Sequence, residues 1–124
     1  MADISAIGKS FSEFYYQTFD GSRAELANLY KDESMLTWEG NQFCGNAAIM
    51  EKLLTLPFQR IAHKVTTIDT QPSVPGANSI IVCVTGQLQI DDEPRPQQFT
   101  QFFQLVDRDG SVYIHNDIFR LNYA

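Results

Sequence analysis

The sequence predicts an α+β domain in which helices cover one face of a curved, mainly antiparallel sheet. Three observations carry this expectation. Apolar residues in the first half of the chain recur every three or four positions, the spacing of helix faces. After Pro57 the period changes to two and remains so to the end. Finally, Ser79 to Tyr123 reads as three long strands joined by two turns. With 124 residues the chain makes one domain, 1–124, able to bury roughly two thirds of the surface its unfolded form would expose.

The elements follow in order. Ile4, Ile7, Phe11, Phe14, Tyr15 and Phe19 mark one face of an amphipathic helix, and Asp3 or Ser5 is available to cap its start. Asp20-Gly21 breaks it. Ser22-Arg23-Ala24-Glu25 then matches a capping box and predicts a second, short helix ending near Tyr30. Met35–Trp38 is apolar and rich in strand formers, Gly40-Asn41 supplies a turn, and Gln42–Cys44 returns from it as a small hairpin. Gly45-Asn46 offers a cap for a helix from Ala47 to Leu56, with Ile49, Leu53 and Leu56 on one stripe and Pro57 as its stop. Beyond it, His63–Asp69 reads as a strand and Gln71–Gly76 as its exit loop. Strands are then expected near Ser79–Ile90, Gln97–Val106 and Ser111–Leu121, with Asp107–Gly110 as a hairpin turn.

The strands carry a further signal. Ile80, Val82, Val84, Leu88 and Ile90 alternate with Ile81, Cys83, Thr85, Gln87 and Gln89, and Tyr113, Phe119 and Leu121 alternate with Val112, Ile114 and Ile118. A sheet with one wet face alternates cleanly between apolar and polar, so a half-apolar second face implies a cover. The simplest cover is a second copy of the sheet, and a homodimer is expected.

Composition narrows the function. Fifteen acidic residues against 9 Lys+Arg leave a net charge of -6, which argues against a phosphate-backbone partner and for a basic protein surface. The N-terminus lacks the basic and apolar regions of a secretory signal, and no apolar run approaches the roughly 20 residues that span a bilayer. Cys44 and Cys83 have no metal-ligand or redox spacing and are expected as buried, reduced thiols, in keeping with a cytosolic or nuclear compartment. There is no phosphate-binding glycine loop, no metal-ligand spacing and no nucleophile elbow. No cofactor is expected.

Two stretches invite a binding role. Trp38-Glu39 is either a half-buried core tryptophan beside a solvated acid or an aromatic at the mouth of a pocket rimmed by acid. Asp91-Asp92-Glu93 is either a solvated turn or a set of carboxylates facing Lys and Arg on a partner. For acid/base chemistry the candidates are His63, His115, Asp20, Asp69 and Asp117, no two of which have a diagnostic spacing. His115 reads as a packed strand histidine and Asp117 as an acceptor of backbone hydrogen bonds.

Four strings, Phe14–Asp20 (FYYQTFD), Leu36–Gly40 (LTWEG), Leu56–Gln59 (LPFQ) and Asn116–Leu121 (NDIFRL), occur in one order across the chain. Together they closely resemble the nuclear transport factor 2 family. The resemblance implies a cone-shaped, cystatin-like roll, a homodimer, and a non-enzymatic carrier that takes the GDP-bound small GTPase Ran into the nucleus. It also implies transient binding to phenylalanine-glycine repeat nucleoporins, and residence in cytoplasm and nucleus with concentration at the nuclear envelope. By matching positions, Glu39, Asp91 and Glu93 would form an acidic rim for Ran, with Trp38 and His63 at or near a hydrophobic cavity. Two positions depart from the family pattern. Its turn commonly runs Asp-Glu-Asp where this chain has Asp91-Asp92-Glu93, and Ile4 stands where the family often has an aromatic that holds a repeat phenylalanine. The rival functions are a small-molecule isomerase or dehydratase of the same superfamily and a peptide-binding scaffold domain of an RNA export factor. An enzyme would converge buried polar groups on its cavity, whereas an adaptor pocket is apolar inside and acidic outside.

Overall fold

Helix α1, Ile4–Gly21, starts at Asp3, whose Oδ1 accepts the Ala6 amide at 3.1 Å. Its buried face includes Phe11, Tyr15 and Phe19, as the spacing requires, and Tyr16 in addition, whereas Phe14 of the expected stripe turns out to solvent. The computed structural model describes residues 3–74 and 78–122; Pro75 and Gly76 of the expected exit loop lie outside the described residues, as do Met1, Ala2 and Tyr123. Ser22 does not close a capping box. It is the C-cap of α1, donating its amide to Thr18 at 2.9 Å, its side chain makes no cap bond, and Arg23–Leu29 is a 3-10 helix.

Strand β1, Tyr30–Trp38, begins five residues before the expected Met35 and turns at Glu39-Gly40 into β2, Asn41–Cys44. Both turn residues have positive φ, 50° and 87°, the geometry that a two-residue hairpin needs and glycine supplies without strain. Helix α2, Asn46–Leu54, buries Ile49, Met50 and Leu53. Asn46 does not cap it. Its Nδ2 donates to the carbonyls of Ala27 and Tyr30 at 2.8 and 2.9 Å and straps α2 to the preceding segment.

The remaining strands are β3, Ile61–Pro72; β4, Ser79–Ile90; β5, Gln97–Arg108; and β6, Ser111–Leu121. The sheet runs β2-β1-β6-β5-β4-β3, and only the β1–β6 pairing is parallel. It is a curled, unclosed sheet. One source of the curl is a bulge in β3 between Val65 and Thr67 opposite Gly86, where a Cβ would lie 2.3 Å from the Lys64 carbonyl. On the inner face Phe11 and Tyr15 of α1 pack edge-on against Phe103, 5.0 and 4.8 Å between centroids.

Ile80, Val82, Val84 and Leu88 are buried beneath the helices, while Ile81, Cys83, Thr85 and Gln87 face outward and are half-buried. In β6 the expected alternation holds for Ile118, Phe119 and Leu121 and is reversed before them, at Val112, Tyr113 and Ile114. A register shift at Gln104/Leu105 puts Ile114 with Phe119 in the core, and Tyr113 packs outside that cluster. Ile118 stays outward and is 47% exposed. Both cysteines are free as expected, but Cys44 is exposed and Cys83 half-buried rather than enclosed, because β2 is a sheet edge and Cys83 points to the outer face.

Candidate functional site

Sheet register brings the candidate residues to one end of the molecule. Trp38 lies beside Phe119, Leu121 beside Phe99 at the start of β5, Gln97 beside Leu88 near the end of β4, and Ile90 beside Ile61 at the start of β3. Glu39, the Asp91–Glu93 turn and the Leu56–Arg60 segment therefore border one end of the same curled sheet.

Aromatic rings fill that end. Trp38 is half-buried and stacks on Phe119 at 4.1 Å and 10°, with Phe19 parallel to it at 6.3 Å. His63 abuts Phe19, Tyr16 and Phe99 at 5.1, 4.7 and 5.4 Å. Its side chain is only 2% exposed, and both Nδ1 and the backbone amide donate to Asp20, at 2.6 and 2.8 Å. Trp38 thus has an open side, whereas His63 is walled in. Arg23 lies over both Phe19 and Phe58, 4.8 Å from each ring, and extends the aromatic wall toward the Leu56–Arg60 segment.

The acids around this wall are in different states. Glu39 takes the Leu121 amide on Oε1, so its carboxylate is anchored at the turn. Asp91 adopts φ 50°, and its Oδ1 accepts the amides of Gln59 and Arg60 at 3.0 and 2.8 Å. It clamps the segment before β3 to the turn after β4. Asp92 pairs with Arg60 at 2.9 Å in full solvent. Glu93 is exposed and belongs to no ion pair among the described residues. Grooves of about 520 and 440 Å³ flank the turn, and Arg60, Asp91 and Asp92 line both. Sequence reasoning missed Arg60 and Phe58; the Leu-Pro-Phe-Gln string was visible, but nothing in it signals contact with a turn thirty residues later.

The acid/base candidates do not converge. Asp20 and His63 touch; Asp69 is exposed on β3, and His115 is on β6 with a buried Nδ1 that has no hydrogen-bond partner among the described residues. Asp117 accepts side-chain rather than backbone donors. Tyr30 donates to its Oδ2 at 2.7 Å and Gln101 to its Oδ1 at 2.8 Å; Tyr16 donates to Gln101 at 2.9 Å, and Tyr15 meets the Tyr30 hydroxyl at 3.1 Å. Burial raises the Asp117 carboxyl to about 6 against the opposing pull of these donors. All five side chains are buried and bordered by packed protein, so this is an internal strut joining α1, β1, β5 and β6, with no approach for a substrate.

Ile4, the expected nucleoporin contact, is half-buried in the first turn of α1 and packs on the core. Beyond it an apolar groove of about 440 Å³ runs past Ile7 and Phe11 to Phe14, which is 54% exposed. No group of three or more His, Cys, Asp or Glu suited to a metal occurs among the described residues, and no described helix is long and apolar enough to cross a membrane.

Helices on a curled, unclosed mixed sheet, with an acid-bordered aromatic end, define a cone-like α+β domain of the roll type. The family model of the nuclear transport factor 2 (NTF2) domain matches residues 7–121. Nuclear transport factor 2 of Candida glabrata is 52% identical over 122 residues, 98% of this chain and 97% of that protein. The protein of the same name from Schizosaccharomyces pombe is 50% identical over 124 residues, the whole of both chains. The solved structure of nuclear transport factor 2 from Cryptosporidium parvum superposes with a TM-score of 0.90 at 47% identity, covering 96% of this chain and 94% of that one. The chain belongs to the nuclear transport factor 2 family.

Proposed function

We propose that the protein is a non-enzymatic nuclear import carrier that binds GDP-bound Ran at the acid-bordered aromatic end and phenylalanine-glycine repeat nucleoporins at separate sites. Family membership over nearly the whole chain supports a nuclear transport role. The observation that carries the finer reading is the half-buried Trp38, stacked on an aromatic wall, with Glu39 anchored directly beside it and Glu93, on the turn after β4, in no ion pair among the described residues. Such an end suits a partner that offers an aromatic side chain flanked by Lys or Arg, since desolvated charge pairs around an apolar anchor give both affinity and selectivity. GDP selectivity follows if the GTPase presents those residues together only in its GDP-bound switch conformation. Trp38, Glu39, Asp91 and Glu93 are assigned to Ran, Asp91 partly through the backbone it clamps, and His63 as a wall rather than a contact. Ile4 and the adjoining apolar groove are assigned to repeat peptides. The carrier works in cytoplasm and nucleus and concentrates at nuclear pores. In pull-downs, GDP-loaded Ran is retained and GTP-loaded Ran is not; equal retention of the two forms, or of neither, overturns the reading.

The working species is a homodimer, joined through the outer sheet face. Ile81, Cys83, Phe102 and Ile118 make that face half-apolar. Ile118→Glu places a charge on the patch without touching the core. Sedimentation at micromolar concentration is expected to give a dimer for the wild type and a folded monomer for the variant; a wild-type monomer contradicts the assignment.

A further inference from the structure

We propose that Arg60 is a built-in stand-in for the basic side chain that the acidic turn receives, and that it tunes the affinity and salt sensitivity of this site by competing for Asp92. The inference rests on the Ran-binding reading above.

Its basis is the contrast between the two halves of Arg60. The backbone is held on both sides, with its amide donated to Asp91 Oδ1 at 2.8 Å and its carbonyl accepting the Asp91 amide at 2.9 Å. The side chain extends into solvent. It is 75% exposed and reaches across to an Asp92 that is 93% exposed, at 2.9 Å. Arg60 also lines both grooves beside the turn. The three carboxylates of the turn are therefore unequal: Asp91 is committed to backbone amides, Glu93 has no described ion pair, and Asp92 is neutralised by a cation of the same chain. A partner's Lys or Arg that reaches Asp92, between the assigned Asp91 and Glu93, must displace Arg60, whose anchored backbone and exposed guanidinium leave room for the side chain to turn away. Before contact, the same guanidinium lowers the negative field that draws a basic partner in. An exposed pair is weak, so the device is a modest counterweight rather than a lock.

The test is a double-mutant cycle with Arg60→Gln and Asp92→Asn, titrated with GDP-loaded Ran at low and physiological salt. Arg60→Gln is expected to tighten binding about two- to fivefold, the range an exposed ion pair allows. The gain shrinks as salt rises. Asp92→Asn is expected to weaken binding by a larger factor in the Arg60→Gln background than in wild type. Both side chains are solvent-exposed, so circular dichroism and dimer content stay unchanged. Wild-type binding that Arg60→Gln leaves unaltered or weakens overturns the role of Arg60 alone. Absence of wild-type binding overturns the carrier reading and this proposal together.

Discussion

Glu39→Lys is expected to abolish binding of GDP-loaded Ran while leaving fold and dimer intact. Reversing a charge that a partner's cation must face, beside an apolar anchor that excludes water, costs about 2–5 kcal/mol or more, at least about 30-fold in affinity. The structure adds a control. Glu39 Oε1 also accepts the Leu121 amide, so part of any effect belongs to the turn and not to charge. Glu39→Gln keeps an acceptor for that amide and removes only the charge. Calorimetry should therefore find an intermediate affinity for Gln and none for Lys, with unchanged circular dichroism for both. Wild-type affinity in the Lys variant would remove Glu39 from the site.

The second large effect concerns stability and acid. Asp117 is 1% exposed, and burial raises its carboxyl from the ordinary 3.8 to about 6. The folded chain thus holds this proton more tightly than the unfolded one. The stability this affords is fully present below about pH 4 and is lost as pH rises through about 6. At about 1.4 kcal/mol per pH unit, the loss is about 3 kcal/mol. Asp117→Asn has no such group. Urea unfolding at pH 4 and pH 7 is expected to give a difference about 2 kcal/mol smaller in the variant than in wild type, since part of the effect is already lost at pH 4. Equal differences in the two proteins would mean that Asp117 is not held protonated by its burial. Within the internal strut the carboxyl is held between the Tyr30 hydroxyl and the Gln101 amide.

Much of the architecture was legible in the residues. The α1 stripe and the limits of β4 and β6 follow from periodicity, since long amphipathic elements bury one face whatever their neighbours do. Local charge hid the start of β1: Lys31, Asp32 and Glu33 are exposed and fall in the irregularity between the Tyr30 and Met35 pairs, so their side chains carry no sign of the strand. A bulge hid the faces of β6, because a single register shift exchanges inside for outside. In the candidate site, Trp38 and Glu39 could be singled out together because they are adjacent. The clamp by Asp91 could not, because its partners are backbone amides of residues 59 and 60, and any sequence there would offer them. The tyrosine strut was invisible for a related reason. Tyr15, Tyr16 and Tyr30 look like ordinary core aromatics until the fold aims three hydroxyls at one buried amide–carboxylate pair.

The parallel union of β1 with β6 has a consequence for how the molecule comes to exist. The β3–β4–β5–β6 meander can zip through neighbouring turns, but Tyr30 must find Ile114 and Glu39 must find Leu121 across most of the chain. Such distant pairings carry the largest loop-closure cost and slow folding most. Glu39 is held by one of these closures, so it takes its place only when the two ends of the polypeptide have met. A chain arrested with its meander formed and β1 undocked therefore carries the acidic turn without the carboxylate of Glu39 in place, and the two ends of the acid-bordered site come together last.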